Sequence, residues 1–223
     1  MERLADQPSK ADQLTVAVRD AIRSGELTPD RLYSAQELGE LFGVSRTPVR
    51  EALLKLANAG LVRIERNRGA RIVHSTEADV TEVSTLRLLL EPAATGRAAA
   101  DPDFPAAELA ATLDRMRTHA AEPEAFFRAD CDFHDVIMRA GGNRRLADIV
   151  LSLRDAIALQ GRRSMPGVRD AEQIIAEHRA VADAVASGDR ERASAAMRAH
   201  LLSTADALSG DPAGWRREWE RWA

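Results

Sequence analysis

The sequence predicts a mainly α-helical protein in two parts, an N-terminal helical module with a small β-hairpin and a C-terminal all-α helical bundle. Aromatic residues make up 4% of its 223 residues, whereas Ala, Leu, Arg and Glu are plentiful, which favours helix. Residues 1–75 contain 12 Lys/Arg and 10 Asp/Glu, and residues 76–223 contain 19 and 25. The net charge therefore changes from +2 to −6, which indicates two parts with different tasks.

Two short helices joined by a tight turn are predicted after an amphipathic first helix. Ser34 and Glu37 have the spacing of a capping box at the start of the first of the two. Gly43 can adopt the left-handed conformation that ends it, and Ser45 can cap the second. The apolar face of the preceding helix consists of Leu14, Ala17, Val18, Ala21 and Ile22.

A basic hairpin follows the helix pair. Residues 61–65 and 70–73 are predicted strands, with residues 67–69 as the turn. Residues 45–71 contain seven Lys/Arg and two Asp/Glu, although the whole chain has a net charge of −4. A helix pair with a basic hairpin is typical of a winged helix-turn-helix, and this local positive charge is typical of a surface that binds duplex DNA.

The start of the second helix is where a recognition helix presents side chains to the major groove. Arg46 and Arg50 are one turn apart and can reach the same groove, where an arginine discriminates guanine by roughly 1–3 kcal/mol. Any one of these arginines alone could equally be a solvated surface residue, so the cluster carries the prediction. The predicted DNA-contacting residues, including the tip of the wing, are Arg46, Thr47, Arg50, Arg66, Arg68 and Gly69.

The C-terminal part is predicted to contain six helices. Pro92 lies inside the first of them and predicts a kink or break. The helices span about 77–100, 103–121, 123–140, 143–165, 170–187 and 189–209. The expected domains are therefore residues 1–75, residues 76–209 and a tail of residues 210–223, in which Trp215, Trp219 and Trp222 form a stripe. This tail packs either on its own domain or at a dimer contact.

Three histidines and an aspartate on apolar helix faces form a polar constellation: Asp130, His134, His178 and His200. Asp130 and His134 are one helical turn apart and could bind one ion together. An inward carboxylate is costly without a partner. Two interpretations remain, a set of buried hydrogen-bonded residues or a shared divalent metal, for which Zn, Ni, Mn and Fe suit these ligands. His74 and His119 lack this context and are predicted surface residues.

Residues 44–53, VSRTPVREAL, with LANAGLV and RGARIV after them, resemble the GntR family of bacterial transcription regulators over residues 11–74. The remainder resembles the shorter, six-helix effector (FCD) domain of the FadR-like subfamily. The residues that carry this resemblance are Leu86-Arg87, Leu90-Glu91, Asp130-x3-His134, Gly142-Asn143, Glu177-His178 and His200-Leu201.

The resemblance implies that Arg46, Thr47 and Arg50 contact an operator, and that the aspartate and three histidines bind a divalent metal. It also implies that Arg87 is directed at an effector. For Asn143, a helix cap and an effector contact are both open. Gln36 replaces an arginine that precedes the helix pair in some members.

These observations favour a homodimeric repressor that binds an operator in double-stranded DNA and responds to a small organic acid at the metal. The alternatives are a regulator for which the metal itself is the signal, and a metalloenzyme. The sequence contains no HExxH, nucleophile motif or Gly-rich phosphate loop, so an enzyme is disfavoured.

Compartment and membrane attachment are also constrained by the sequence. No segment approaches the ~20 apolar residues of a membrane span, and the N-terminus lacks the apolar core of a signal peptide. The single cysteine, Cys131, suits a reducing compartment. We therefore expect a cytoplasmic protein without a membrane partner.

Overall fold

The computed structural model of the protein describes residues 9–29, 31–73, 76–159 and 169–222. They form two compact units: the first contains residues 9–73 and 158–159, and the second contains residues 76–157 and 169–222. The elements of the first unit are α1 (Lys10–Ser24), β1 (Leu32–Tyr33), α2 (Ala35–Leu41), α3 (Arg46–Asn58), β2 (Val62–Glu65) and β3 (Gly69–Ile72).

The predicted caps of the helix pair are confirmed in part. The Ser34 hydroxyl accepts a hydrogen bond from the backbone N–H of Glu37 at 3.0 Å. The Glu37 carboxylate binds Arg31 instead, so the reciprocal half of the capping box does not form. Gly43 has φ 66° at the turn, as expected, whereas Ser45 precedes α3 without a capping hydrogen bond from its side chain.

The hairpin is confirmed as β2 and β3, and it belongs to an antiparallel sheet of order β1-β3-β2. The strand β1, which the sequence did not predict, pairs Tyr33 with Ala70. Gly69 has φ 140°, and a Cβ atom there would lie 2.1 Å from the carbonyl oxygen of Tyr33. Glycine is therefore required at position 69 for the wing to pair with β1.

The six helices predicted for the C-terminal part are confirmed within the described residues, where a seventh follows them. The last six positions predicted for the fourth of these helices, residues 160–165, lie outside the described residues. The elements are α4 (Glu77–Ala99), α5 (Ala106–Thr118), α6 (Pro123–Ala140), α7 (Arg144–Leu159), α8 (Ala171–Ala186), α9 (Arg190–Leu208) and α10 (Pro212–Glu220).

The helix α4 is not broken at Pro92, contrary to the break considered above. Pro92 is buried inside a helix that continues for seven further residues, to Ala99. The helix packs against α6, α8 and α9. We attribute its continuity to this packing, which compensates for the backbone hydrogen bond that proline cannot donate.

The C-terminal tail packs on its own domain. Trp215 and Trp219 are buried in the main hydrophobic core with α4 and α9. The Trp215 Nε1 atom donates a hydrogen bond to the Asp206 carboxylate at 3.0 Å. Trp222 is 64% exposed. No helix within the described ranges combines the length and apolar character needed to cross a membrane.

Candidate nucleic-acid interface and candidate metal centre

The start of α3 presents its polar residues to solvent. Arg46, Thr47 and Arg50 are exposed, whereas Val49 and Leu56 on the opposite face are buried against the rest of the unit. The helix therefore has an inner face that fixes it and an outer face that is free to contact another molecule. This arrangement agrees with the prediction that α3 is a recognition helix.

Gln36 holds one of these arginines. The Arg46 Nη2 atom donates a hydrogen bond to Gln36 Oε1 at 2.5 Å. The Gln36 Nε2 atom donates in turn to Glu40 Oε1 at 3.0 Å. In the sequence, Gln36 is recognisable only as a replacement for an arginine. The contact between two side chains ten residues apart could not be read from the sequence, because it depends on the angle between α2 and α3.

The wing and α3 together border a concavity of about 610 Å³. Arg46 and Arg50 line it from the helix, and Arg66 and Arg68 line it from the wing. Glu65 partly neutralises this positive charge, since its carboxylate forms an ion pair with Arg68 at 2.9 Å. Gly69 also lines the concavity, although its contact with β1 already explains why glycine stands there.

Three of the four predicted metal ligands converge inside the second unit. His134 on α6, His178 on α8 and His200 on α9 are buried. One imidazole nitrogen from each lies within 4.8 Å of the other two. The ring centroids are 4.4 Å apart for His178 and His200 and 5.3 Å apart for His134 and His200. Three helices therefore bring three imidazole nitrogens close to one another.

Each of the three rings uses its Nδ1 atom in a hydrogen bond to an oxygen that can only accept. The partners are Glu91 Oε2 for His134 at 2.7 Å, the Ile174 carbonyl for His178 at 2.8 Å, and Glu177 Oε2 for His200 at 3.0 Å. The proton of each neutral ring is therefore on Nδ1, which leaves the lone pair on Nε2. The Nε2 atoms of His134 and His178 are buried and have no hydrogen-bond partner in the described part of the chain.

Asp130 lies beside the cluster but is engaged by an arginine. One carboxylate oxygen binds Arg154 on α7, and the other lies 2.8 Å from His178 Nε2. That second contact is an ion pair only when the His178 imidazole is protonated. Burial raises the pKa of Asp130, but Arg154 and His178 outweigh it and hold the pKa well below its usual range.

Two of the three imidazoles, those of His134 and His200, have lowered pKa values. Burial lowers the pKa of His134 well below its usual range, and the nearby Arg154 lowers it further. Burial, followed by His178, lowers the pKa of His200 to about 4. Both rings are therefore neutral near pH 7, which is the form that binds a divalent metal.

A second layer of charged residues surrounds the histidines. Arg87 is buried on α4 and donates to Glu91 at 2.5 Å. Arg169 donates to Glu177 at 2.7 Å. Neither Arg154 nor Arg169 was among the site residues predicted from the sequence. The available signal for Arg154 was its position on the same face of α7 as the buried residues 147 and 150, where a charged residue is unexpected.

The two remaining predictions concern residues away from the cluster. Asn143 is exposed, and its side-chain oxygen accepts from the backbone N–H of Leu146 at 3.2 Å, as a cap of α7 does. His119 is partly exposed beside Glu122, in agreement with a surface position. His74 lies outside the described residues.

Both units match models of known protein families. Residues 10–72 match the family described as "Bacterial regulatory proteins, gntR family", and residues 82–203 match the FCD domain. The regulator LutR of Bacillus subtilis is 31% identical over 216 residues, which cover 85% of this chain and 96% of LutR.

One further relative and one solved structure are also similar to this chain. The transcriptional repressor NanR of Cronobacter sakazakii is 31% identical over 197 residues, which cover 77% of this chain and 74% of NanR. The solved structure of E. coli McbR/YncC superimposes with a TM-score of 0.76 at 18% identity, over 96% of this chain and 100% of that one. This structural likeness concerns the fold alone.

Proposed function

Because the chain belongs to the GntR family and carries an FCD domain, it is a DNA-binding transcription regulator and not an enzyme, and we propose that it is a repressor controlled by a small carboxylate. The relative NanR is a transcriptional repressor, which supports repression as the mode of regulation. Operator DNA is its partner, so we place it in the cytoplasm.

The proposed contact with DNA is made by α3 and the wing. The exposed Arg46, Thr47 and Arg50 enter the major groove, and Arg66 and Arg68 reach the neighbouring backbone or minor groove. A single unit of this kind reads only one half-site. We therefore propose a homodimer that binds a two-fold symmetric operator, as other helix-turn-helix proteins do.

The three histidines are the proposed ligands of a divalent metal. The observation that supports this is the buried Nε2 atom of His134, which has no hydrogen-bond partner among the described residues and lies beside two further buried imidazoles, since a buried polar atom left unsatisfied is costly. Glu91, Ile174 and Glu177 hold the other nitrogens, as outer-shell partners do in metal sites. Asp130 is a further ligand in this proposal, once Arg154 releases it. The ligand types fit Zn, Ni, Mn or Fe.

The effector is proposed to be a small carboxylate bound beside this centre. When bound, the metal supplies a positive charge that attracts an anion. Arg87 supports the proposal from the protein side, because its Nη2 atom is buried without a hydrogen-bond partner among the described residues. A guanidinium N–H binds a carboxylate oxygen with a strong charge-assisted hydrogen bond. Asn143, as a cap of α7, would act on the site only indirectly.

A second candidate is a regulator for which the metal itself is the signal. The compact three-histidine cluster favours it, since the cluster could hold an ion without any organic ligand. The two candidates differ in what releases DNA. Reversible loss of metal changes DNA affinity in the second, whereas a carboxylate changes it at constant metal content in the first.

The experiment that tests the proposal combines metal analysis with DNA binding at about 150 mM salt, where phosphate contacts alone are weakened. The purified protein is titrated onto its own upstream DNA and onto a scrambled duplex, with and without chelator and small carboxylates. We expect about one metal per chain, specific binding, and release by a carboxylate. Equal affinity for both duplexes would refute the proposal that the protein is a sequence-specific regulator. Release of the DNA by chelator alone would support the second candidate, in which the metal is the signal.

A further inference from the structure

A second buried arginine lies next to the candidate metal centre. Arg154 on α7 has a side chain only 4% exposed, and it binds Asp130. Its Nε atom is buried and has no hydrogen-bond partner within the described ranges. Part of the guanidinium is therefore committed to the protein, and part of it is left for an acceptor that the described residues do not provide.

Arg87 is in the same situation. Its Nε atom donates to Glu91, and its Nη2 atom is buried without a partner. Glu91, which accepts from Arg87, also binds His134 at 2.7 Å, and Asp130, which binds Arg154, lies 2.8 Å from His178. Because the ring centroids of His134 and His178 are 5.4 Å apart, the two guanidinium groups flank the same histidine cluster. Two separate helices thus present two buried guanidinium groups, each with an unused donor.

The charge balance of this region also indicates the ligand. Arg87 and Arg154 are balanced by Glu91 and Asp130. A divalent ion at the three histidines would add two positive charges in a buried place, where uncompensated charge is strongly disfavoured. One monocarboxylate offsets only one of these charges, whereas a dicarboxylate offsets both.

We propose that Arg154 is a second anion-binding residue of the effector site, and that the effector is a dicarboxylate with one carboxylate at Arg87 and the other at Arg154. The inference rests on the proposed effector function of this site and specifies its ligand class. It also explains why an arginine stands on the inner face of α7, where sequence periodicity would place an apolar residue.

Isothermal titration calorimetry of the full-length protein, as purified, tests the proposal by comparing succinate with butyrate. Both ligands have four carbons, but succinate has two carboxylates and butyrate has one. Inorganic phosphate is the third probe, because two guanidinium groups could also bind one phosphate. We expect succinate to bind about tenfold tighter than butyrate, which corresponds to about 1.4 kcal/mol. Phosphate is expected to bind more weakly than succinate.

Two variants test whether the preference for succinate depends on Arg154. Arg154→Gln should reduce the affinity for succinate to that for butyrate, while butyrate changes little. Arg154→Lys keeps the charge beside Asp130 but lacks the Nε donor, so it should also lose most of the preference. Arg145→Gln, at an exposed position of the same helix, is the matched control and should retain it.

The outcomes separate this inference from the proposed function. If butyrate and succinate bind equally, if phosphate binds tightest, or if Arg154→Gln keeps the preference, the dicarboxylate assignment is overturned while a carboxylate site remains. If neither carboxylate binds, the effector function and this inference fail together. The ratio of the succinate and butyrate affinities of the wild-type protein tests the dicarboxylate assignment even if a variant does not fold.

Discussion

The Nδ1 atom of His178 donates a hydrogen bond to the carbonyl oxygen of Ile174, one turn earlier on α8, at 2.8 Å. This bond fixes the ring and leaves Nε2 on the other side, where it lies 2.8 Å from a carboxylate oxygen of Asp130 within the three-histidine cluster. A carbonyl oxygen therefore determines which nitrogen is available for a ligand.

Replacement of His178 by alanine should abolish or strongly reduce metal binding and lower stability. The change removes one nitrogen ligand and also the edge-to-face contact with Phe133, whose ring centroid is 4.7 Å away. Metal content after dialysis and the melting temperature measure the two effects. His119→Ala, at a partly exposed position, is the control. Full metal occupancy in His178→Ala would show that the assigned ligand set is wrong.

Arg50→Ala should abolish the preference for the operator and leave the second unit folded. The side chain is exposed on α3 and lines the concavity beside the wing. Loss of a bidentate contact to guanine costs roughly 1–3 kcal/mol of discrimination. Fluorescence anisotropy with operator and scrambled duplexes measures this. Arg145→Ala, exposed on α7, should behave as wild type, and retained preference in Arg50→Ala would exclude this residue from base recognition.

Gln36→Ala should reduce sequence discrimination several-fold while binding to scrambled DNA stays nearly constant. Gln36 orients Arg46 through a hydrogen bond, and orientation matters for reading a base edge more than for attracting phosphate. The same anisotropy assay, repeated over a series of salt concentrations, separates the two contributions. An equal loss on both duplexes would mean that Gln36 acts on general affinity and not on Arg46.

Acid should destabilise the metal-free protein between pH 6.5 and pH 4. The pKa of His200 falls from its usual 6.5 to about 4 in the folded state. The unfolded chain therefore binds a proton in this interval that the folded chain does not, so stability decreases as the pH decreases. Melting temperatures in EDTA from pH 7.5 to 4.5 measure the effect. The decrease should be smaller in His200→Gln and unchanged in His119→Gln; equal slopes in all three proteins would contradict it.

Trp219→Ala should destabilise the second unit by about 3–5 kcal/mol, as expected for removal of a buried aromatic side chain. Trp219 is 8% exposed within the core, whereas Trp222 is 64% exposed. Trp222→Ala is therefore the matched control, with an expected change below about 0.5 kcal/mol. Denaturant unfolding measures both variants. A similar loss in each would mean that Trp222 is also covered, for example by a second subunit.

The local features of this protein could be predicted from its sequence. Helix periodicity and turn residues act over a few positions, so they determined α3, the wing and the six helices of the bundle. The spacing of His134, His178 and His200 on apolar faces likewise identified the cluster that the structure brings together.

The tertiary structure alone decided which distant residues meet. Asp130 binds Arg154, Gln36 holds Arg46, and β1 pairs with β3 across Gly69. Tertiary packing also carried α4 through Pro92. Such contacts depend on how helices and strands are placed against one another, and that placement results from burial of many side chains at once. No local pattern encodes it, so the partners of these polar groups became known only from the structure.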